Sequence, residues 1–109
     1  MATQFRNKII KEVGLVPVLG IETAGGTRST VVGLSLANLT DSLIYASILL
    51  HDDTSIEGYF LKDVPIPPNS SLRALDAGEK LILAPNNQLF FVCDQDEGLD
   101  VVISYVDIV

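Results

Sequence analysis

Few side chains in this sequence could carry out catalysis or hold a metal ion. The single histidine, His51, lies beside Asp52 and Asp53. A histidine next to carboxylates can shuttle protons or bind a metal, but the surrounding turn residues favour a position at the end of a strand. Cys93 is the only cysteine. Because no second histidine or asparagine context is present to activate its thiol, we expect it to be a small buried residue rather than a nucleophile.

Two short segments resemble ligand-binding loops, and neither matches its pattern. The acidic run Asp94–Asp100 opens like a calcium loop, but Gly98 and Tyr105 stand at its fifth and twelfth positions, where carboxylates are needed. Gly20–Thr27 resembles a phosphate-binding loop, but Gly26 replaces the lysine and no helix is predicted to follow. We therefore predict a solvated hairpin turn and a flexible turn. The sequence indicates no catalytic, cofactor-binding or metal-ligating residue, and we expect a protein that is not an enzyme.

Length and composition narrow the class of partner. A chain of 109 residues fits one domain, and it combines a net charge of −7 with 48% hydrophobic residues. Acidic chains repel phosphates, which argues against a nucleic acid partner, and no apolar run approaches the length that a membrane requires. No secretory signal is recognisable, so the expected setting is cytosolic. The apolar content therefore predicts surfaces that are buried against other protein chains.

The charge is unevenly distributed along the chain. The first eleven residues carry a net charge of +3. Since the whole chain carries −7, residues 12–109 carry −10. This pattern predicts an N-terminal arm, residues 1–14, that reaches an acidic surface of a neighbouring chain; a solvated, frayed terminus is the alternative. The predicted partner-binding residues of the arm are its cations and the apolar residues between them: Phe5, Arg6, Lys8, Ile9, Ile10 and Lys11.

Alternation with a period of two dominates the chain and predicts β-strands. Leu43–Leu50 has some helical propensity, but its length and the turn residues on both sides favour a strand. We predict strands at Ile9–Val13, Val16–Ile21, Thr30–Asn38, Leu43–Leu50, Ile56–Leu61, Ser71–Ala74, Lys80–Leu83, Gln88–Cys93 and Leu99–Val109. Short strands separated by Pro, Gly and Asn turns are typical of sandwiches and jelly rolls. The predicted fold is a single all-β, antiparallel β-sandwich or jelly-roll-like domain of about eight short strands, residues 15–109, preceded by the arm.

Residues 28–109 carry a family resemblance. The sequence Val-Val-Gly-Leu-Ser-Leu-Ala-Asn spans Val31–Asn38, and further strand-and-turn patterns follow at Lys62–Leu72, Leu75–Leu83, Asn86–Val92 and Val101–Ile108. Together these patterns resemble small virion structural proteins of tailed phages, including phages of cyanobacteria. The chain departs from that pattern at Asp107, where glutamate is expected, and at residues 85–87, where Gly-Asp is expected.

The resemblance implies a part of the particle, assembled in the host cytoplasm. It points first to a capsid cement or decoration protein that forms homo-oligomers, with a trimer as the expected state, and that contacts the major capsid protein or other virion proteins. A tail, head–tail or fibre component that binds a receptor or carbohydrate is the alternative, although the chain lacks tryptophan. A cupin-like enzyme is a third reading, and one histidine cannot supply the usual metal ligands of that fold.

Overall fold

A computed structural model describes residues 3–54, 56–75 and 80–108. The described part of the chain contains nine β-strands, connected by turns and loops, and no helix. The strands are β1 Thr3–Val13, β2 Val18–Glu22, β3 Arg28–Asn38, β4 Ile44–His51, β5 Glu57–Ile66, β6 Ser71–Arg73, β7 Leu81–Leu83, β8 Gln88–Cys93 and β9 Leu99–Ile108. Among the described residues, no helix has the length and apolar character to cross a membrane.

The strands form two antiparallel sheets. The first has the order β1-β9-β3-β6, with β7 also paired to β3, and the second has the order β2-β8-β4-β5. The short strands β6 and β7 share one edge of β3, at opposite ends of it. If β6 and β7 are counted as one position, the strands pair in a nested order. β1 pairs with β9, β2 with β8, β3 with β6 and β7, and β4 with β5. This nested pairing is that of an eight-position jelly roll, so the predicted all-β sandwich or jelly-roll fold is confirmed.

The core lies between the inner faces of the two sheets. One row of directly opposed residues crosses the five-stranded sheet from Ile10 through Val101 and Leu36, and all three are buried. Phe91 of β8 is fully buried and supplies the largest side chain from the four-stranded sheet. β8 buries every second side chain along its whole length, and β3 does so on both sides of its bulge, as the sequence periodicity predicts.

The side chain of Asn38 forms hydrogen bonds that connect neighbouring segments at one end of the sandwich. It is 5% exposed, and its Nδ2 donates to the carbonyl oxygens of Ser42 at 2.8 Å, Ile66 at 3.0 Å and Pro67 at 3.1 Å. Its Oδ1 accepts from the Thr40 amide at 2.8 Å. One side chain therefore joins the end of β3 to the β3–β4 turn and to the end of β5.

The predicted arm takes part in the sheet. Its described residues form β1, which pairs with β9 from Thr3 opposite Ile108 to Val13 opposite Leu99. Residues 3–13 are therefore an edge strand that begins six residues before the predicted strand Ile9–Val13, and its register with β9 shifts between Ile10 and Val13. The division into an arm and a domain stays a prediction. Residues 76–79 of the Leu75–Leu83 pattern, and Val109 at the predicted end of the last strand, lie outside the described residues.

Candidate interaction surface

The outer face of the five-stranded sheet exposes a set of apolar side chains. One row runs straight across four strands, because Phe5 lies opposite Val106, Val106 opposite Thr30, and Thr30 opposite Ile82. Phe5 is 83% and Ile82 62% exposed. A second row places Ile9 beside Val102, and both are exposed. We call this set the outer apolar face; it comprises Phe5, Ile9, Val32, Ile82 and Val102.

A bulge in β3 adds Val32 to the outer apolar face. The register with β9 shifts between Val31 and Gly33, so one extra residue is accommodated. Val31 is fully buried, whereas Val32 is 45% exposed. Phe5 and Ile9 were predicted from the sequence to contact a partner, and the other three members of the face were not. The signal for one of them was present, since Val101 and Val102 are adjacent and alternation sends one of the two outward.

The structure separates the six predicted arm residues onto two sides of β1. Phe5 and Ile9 point outward, Lys11 is exposed, and Ile10 is 8% exposed within the core. Ile10 therefore packs inside its own subunit, which corrects its assignment as a partner-binding residue. For the remaining residues, contact with a partner stays a prediction.

The inner side of β1 is polar where the strand extends beyond the core. Arg6 lies opposite Tyr105, and its Nε is 3.4 Å from Asp107 Oδ2. Ser29 donates from its Oγ to Asp107 Oδ1 at 2.5 Å, and Arg6 Nη2 donates to the Gln4 side chain. Charged side chains that point inward along an edge strand discourage further strand addition. The flat outer face is therefore better suited to contact a partner than the edge itself.

The histidine and its carboxylate neighbours form a turn. The rings of His51 and Phe90 lie 6.4 Å apart. Asp52 Oδ1 accepts from the Thr54 amide at 2.9 Å, the Thr54 hydroxyl at 2.7 Å and the Ile56 amide at 3.0 Å. These hydrogen bonds, that of the Thr54 hydroxyl first, lower the pKa of Asp52. The described residues contain no group of three or more His, Cys, Asp or Glu side chains placed to hold a metal ion.

Cys93 is buried, as the sequence predicts. Its side chain is in the core cluster, and its Sγ donates to the carbonyl oxygens of Val13 at 3.3 Å and Gln95 at 3.1 Å. Burial raises the pKa of the Cys93 thiol. A thiol with a raised pKa carries little thiolate at neutral pH, so this arrangement disfavours nucleophilic chemistry.

The two motifs that resemble ligand loops serve structural roles. In the acidic turn, Asp100 Oδ1 accepts from the Glu12 amide at 2.9 Å. The glycine-rich segment is tied to the β7–β8 turn, because Thr23 donates its N–H to the Asn87 carbonyl at 2.9 Å and accepts from the Asn86 amide at 2.8 Å. The segment is therefore anchored around Thr23, and it forms a turn at Gly25 and Gly26 as predicted.

The pairing of the strands defines the class of fold to which the chain belongs. Eight-position jelly rolls occur in viral capsid proteins, in lectin domains and in cupins. No family model and no curated protein matches the chain. Solved structures are similar to it, and they come from virus particles.

Two such structures are of infectious bursal disease virus. A chain in the crystal structure of its T13 particle has a TM-score of 0.51 and 9% sequence identity, over 96% of this chain and 30% of that one. A chain of the Gt strain has a TM-score of 0.40 and 10% identity, over 97% of this chain and 30% of that one. The chain thus spans less than a third of these viral chains. The first likeness shows a shared fold, and neither structure is of a tailed phage.

Proposed function

We propose that this protein is a structural component of a virus particle, where it acts as a capsid cement or decoration protein. The observation that carries the proposal is the outer apolar face. It places exposed apolar residues in register on neighbouring strands of the five-stranded sheet. Contiguous exposed apolar patches mark protein interaction sites. The fold shared with a chain of a virus particle supports the proposal.

The proposed partners are copies of the same chain and the shell protein beneath them, and the expected oligomer is a trimer. The outer apolar face supplies the contact area. Lys8 and Lys11 are exposed on the same strand, and an acidic neighbouring surface would suit them, although alternation places Lys8 on the side of Ile10 rather than on the outer apolar face. Exposed ion pairs contribute only about 0.2–1 kcal/mol, so most of the binding free energy comes from Phe5 and Ile9.

The experiment compares the association of the wild-type chain with that of the double variant Phe5→Ser/Ile9→Ser by sedimentation equilibrium. Full burial of such side chains contributes about 1.5–3 kcal/mol each, so the variant should associate at least about 100-fold more weakly. Both side chains are exposed, so the fold should be unaffected. Deleting the segment is a poorer test, since it would also remove Ile10 from the core and expose β9.

The matched control is Leu15→Ser/Val16→Ser. These residues are 62% and 72% exposed in the β1–β2 loop, away from the outer apolar face. The control should associate like wild type. A wild-type chain that stays monomeric at micromolar concentration, or a control that fails as badly as the double variant, contradicts the proposal.

A tail, head–tail or fibre component that binds a receptor or carbohydrate is the second candidate. The cavity on the four-stranded sheet, described next, is the observation that favours it. Occupancy of particles lacking the native protein separates the candidates, because a cement protein binds across the shell whereas a tail component binds at one vertex or along the tail.

A further inference from the structure

The outer face of the four-stranded sheet contains a concave site between two tyrosines. Tyr45 of β4 and Tyr59 of β5 line a cavity of about 170 Å³ together with Asp63 and Asp94. A neighbouring cavity of about 370 Å³ shares Tyr45, Asp63 and Asp94. Sites for drug-sized ligands measure roughly 300–1,000 Å³, so this site has room for a single small ring.

A bulge in β5 builds one side of the site. Ala46 pairs with Val64 and Ile48 pairs with Leu61, so the two residues between them on β5 face only Ser47 on β4. The second of the two, Asp63, has a φ of 50°. Its amide donates to Ser47 Oγ at 2.9 Å, and Ser47 Oγ is 3.4 Å from Asp63 Oδ1. The buried serine thereby holds the carboxylate over the cavity.

The end of β8 builds the other side. Asp94 Oδ1 accepts from the Tyr45 amide at 2.9 Å, and the Asp94 amide donates to the Tyr45 carbonyl at 3.2 Å. Each carboxylate is therefore oriented through its Oδ1. Among the described residues, no hydrogen bond uses the Oδ2 of Asp63 or Asp94, so both oxygens are available as acceptors.

Two tyrosine rings complete the site, and a lysine lies next to one of them. Tyr45 is 42% and Tyr59 55% exposed, and Lys62 Nζ lies 5.1 Å from the centre of the Tyr59 ring. The site thus combines hydrogen-bond acceptors with tyrosine rings. Because the Lys62 ammonium group already lies over the Tyr59 ring, that ring is less available to a cationic ligand. The two carboxylates disfavour an anionic one.

We propose that this cavity binds a neutral sugar ring. A pyranose presents an apolar C–H face that can pack on an aromatic ring. Its hydroxyl groups can donate to the two free carboxylate oxygens in charge-assisted hydrogen bonds. Sugar binding is independent of the structural role, because either can hold without the other.

The test is an NMR titration of the ¹⁵N-labelled full chain with glucose, galactose, mannose, N-acetylglucosamine and rhamnose. The concentration of each sugar is raised well beyond about 1 mM, so that a site with a dissociation constant of about 1 mM becomes mostly occupied. At least one sugar should shift the amide signals of Tyr45, Asp63 and Asp94 in a saturable way. N-acetylneuraminic acid and cadaverine, the charged comparators, should not.

The variants Tyr59→Ala and Asp63→Asn should each weaken binding about tenfold or more. The matched controls are Phe5→Ala, an exposed aromatic residue on the other sheet, and Asp41→Asn, an exposed carboxylate in the β3–β4 turn; both should bind like wild type. The wild-type titration is decisive by itself if a variant fails to fold. No saturable shift with any neutral sugar, or tighter binding of either charged compound, overturns the proposal. Neither result bears on association through the outer apolar face.

Discussion

Replacing Gly20 by alanine should strain the core at a place where the structure leaves no room. Gly20 lies in β2 at a register shift relative to β8, between Leu19 and Ile21. A Cβ atom added there would stand 2.2 Å from Cε2 and 2.6 Å from Cδ2 of Phe91. Non-bonded carbon atoms prefer a separation of about 3.5–4.0 Å, so the ring would have to retreat by more than about 1 Å.

The cost follows from where the Phe91 ring lies. Phe91 is fully buried, and protein cores are close-packed, so the displaced ring must push its neighbours out of place. Overpacking of this kind costs about 1–3 kcal/mol. Urea unfolding should therefore show a lower midpoint for Gly20→Ala with an unchanged m-value, and the melting temperature should fall by about 4–8 °C for each kcal/mol lost.

A control variant and a second background test whether the Phe91 ring is the cause. At Gly58, in β5, an added Cβ meets nothing within 4 Å, so Gly58→Ala should change the free energy of unfolding by less than about 0.5 kcal/mol. In a Phe91→Leu background the aromatic ring is gone, and Gly20→Ala should cost less than it does in the wild type. Equal costs in the two backgrounds, or a Gly20→Ala variant as stable as wild type, would refute the reasoning.

Three further predictions concern stability and reactivity. Asn38→Ala removes four hydrogen bonds that join the end of β3 to the β3–β4 turn and the end of β5, and it should cost about 2–6 kcal/mol at about 0.5–1.5 kcal/mol per hydrogen bond; chemical denaturation measures this, and the exposed Asn7→Ala should cost almost nothing. Cys93 should resist iodoacetamide in the folded protein and react once urea unfolds it. Because burial raises its pKa, stability should also decline as the pH rises above the ordinary thiol pKa, and rapid labelling of the native protein would contradict the prediction. Asp52→Ala should speed amide hydrogen exchange at the two amides that the carboxylate accepts from, whereas Asp53→Ala should not. The lowered pKa of Asp52 means that this protection should persist at neutral pH and be lost as the pH falls through that pKa.

The strands could be predicted wherever turn chemistry bounds them closely. Gln88–Cys93 lies between an Asn-Asn turn and an acidic turn, and β8 has the bounds that the sequence predicts. β5 was predicted to end at Leu61 but continues to Ile66. Asp63 allows this because it adopts a positive φ at the bulge, a conformation that aspartate tolerates better than most residues. The sequence pattern does not reveal such a bulge, since the partner strand creates it.

The functional surfaces were harder to predict because they depend on register. Ile9 and Ile10 are identical neighbours, and only the pairing of β1 with β9 decides that Ile9 is exposed and Ile10 is buried. The site between Tyr45 and Asp94 joins residues that are 49 positions apart. Local patterns carry no information on such a contact, so neither tyrosine was predicted to be part of a site.

The pairing of the first strand with the last also has a consequence for engineering. Thr3 lies directly opposite Ile108, and neighbouring strands are about 4.8 Å apart, so both ends of the described chain leave the sandwich at one corner. A hairpin loop of two to five residues, the usual length for adjacent antiparallel strands, could close the chain into a ring. New ends could then be opened at the β4–β5 turn, at the far side of the other sheet. A peptide fused at the present ends and one fused at the new ends would then be displayed from different parts of the same scaffold.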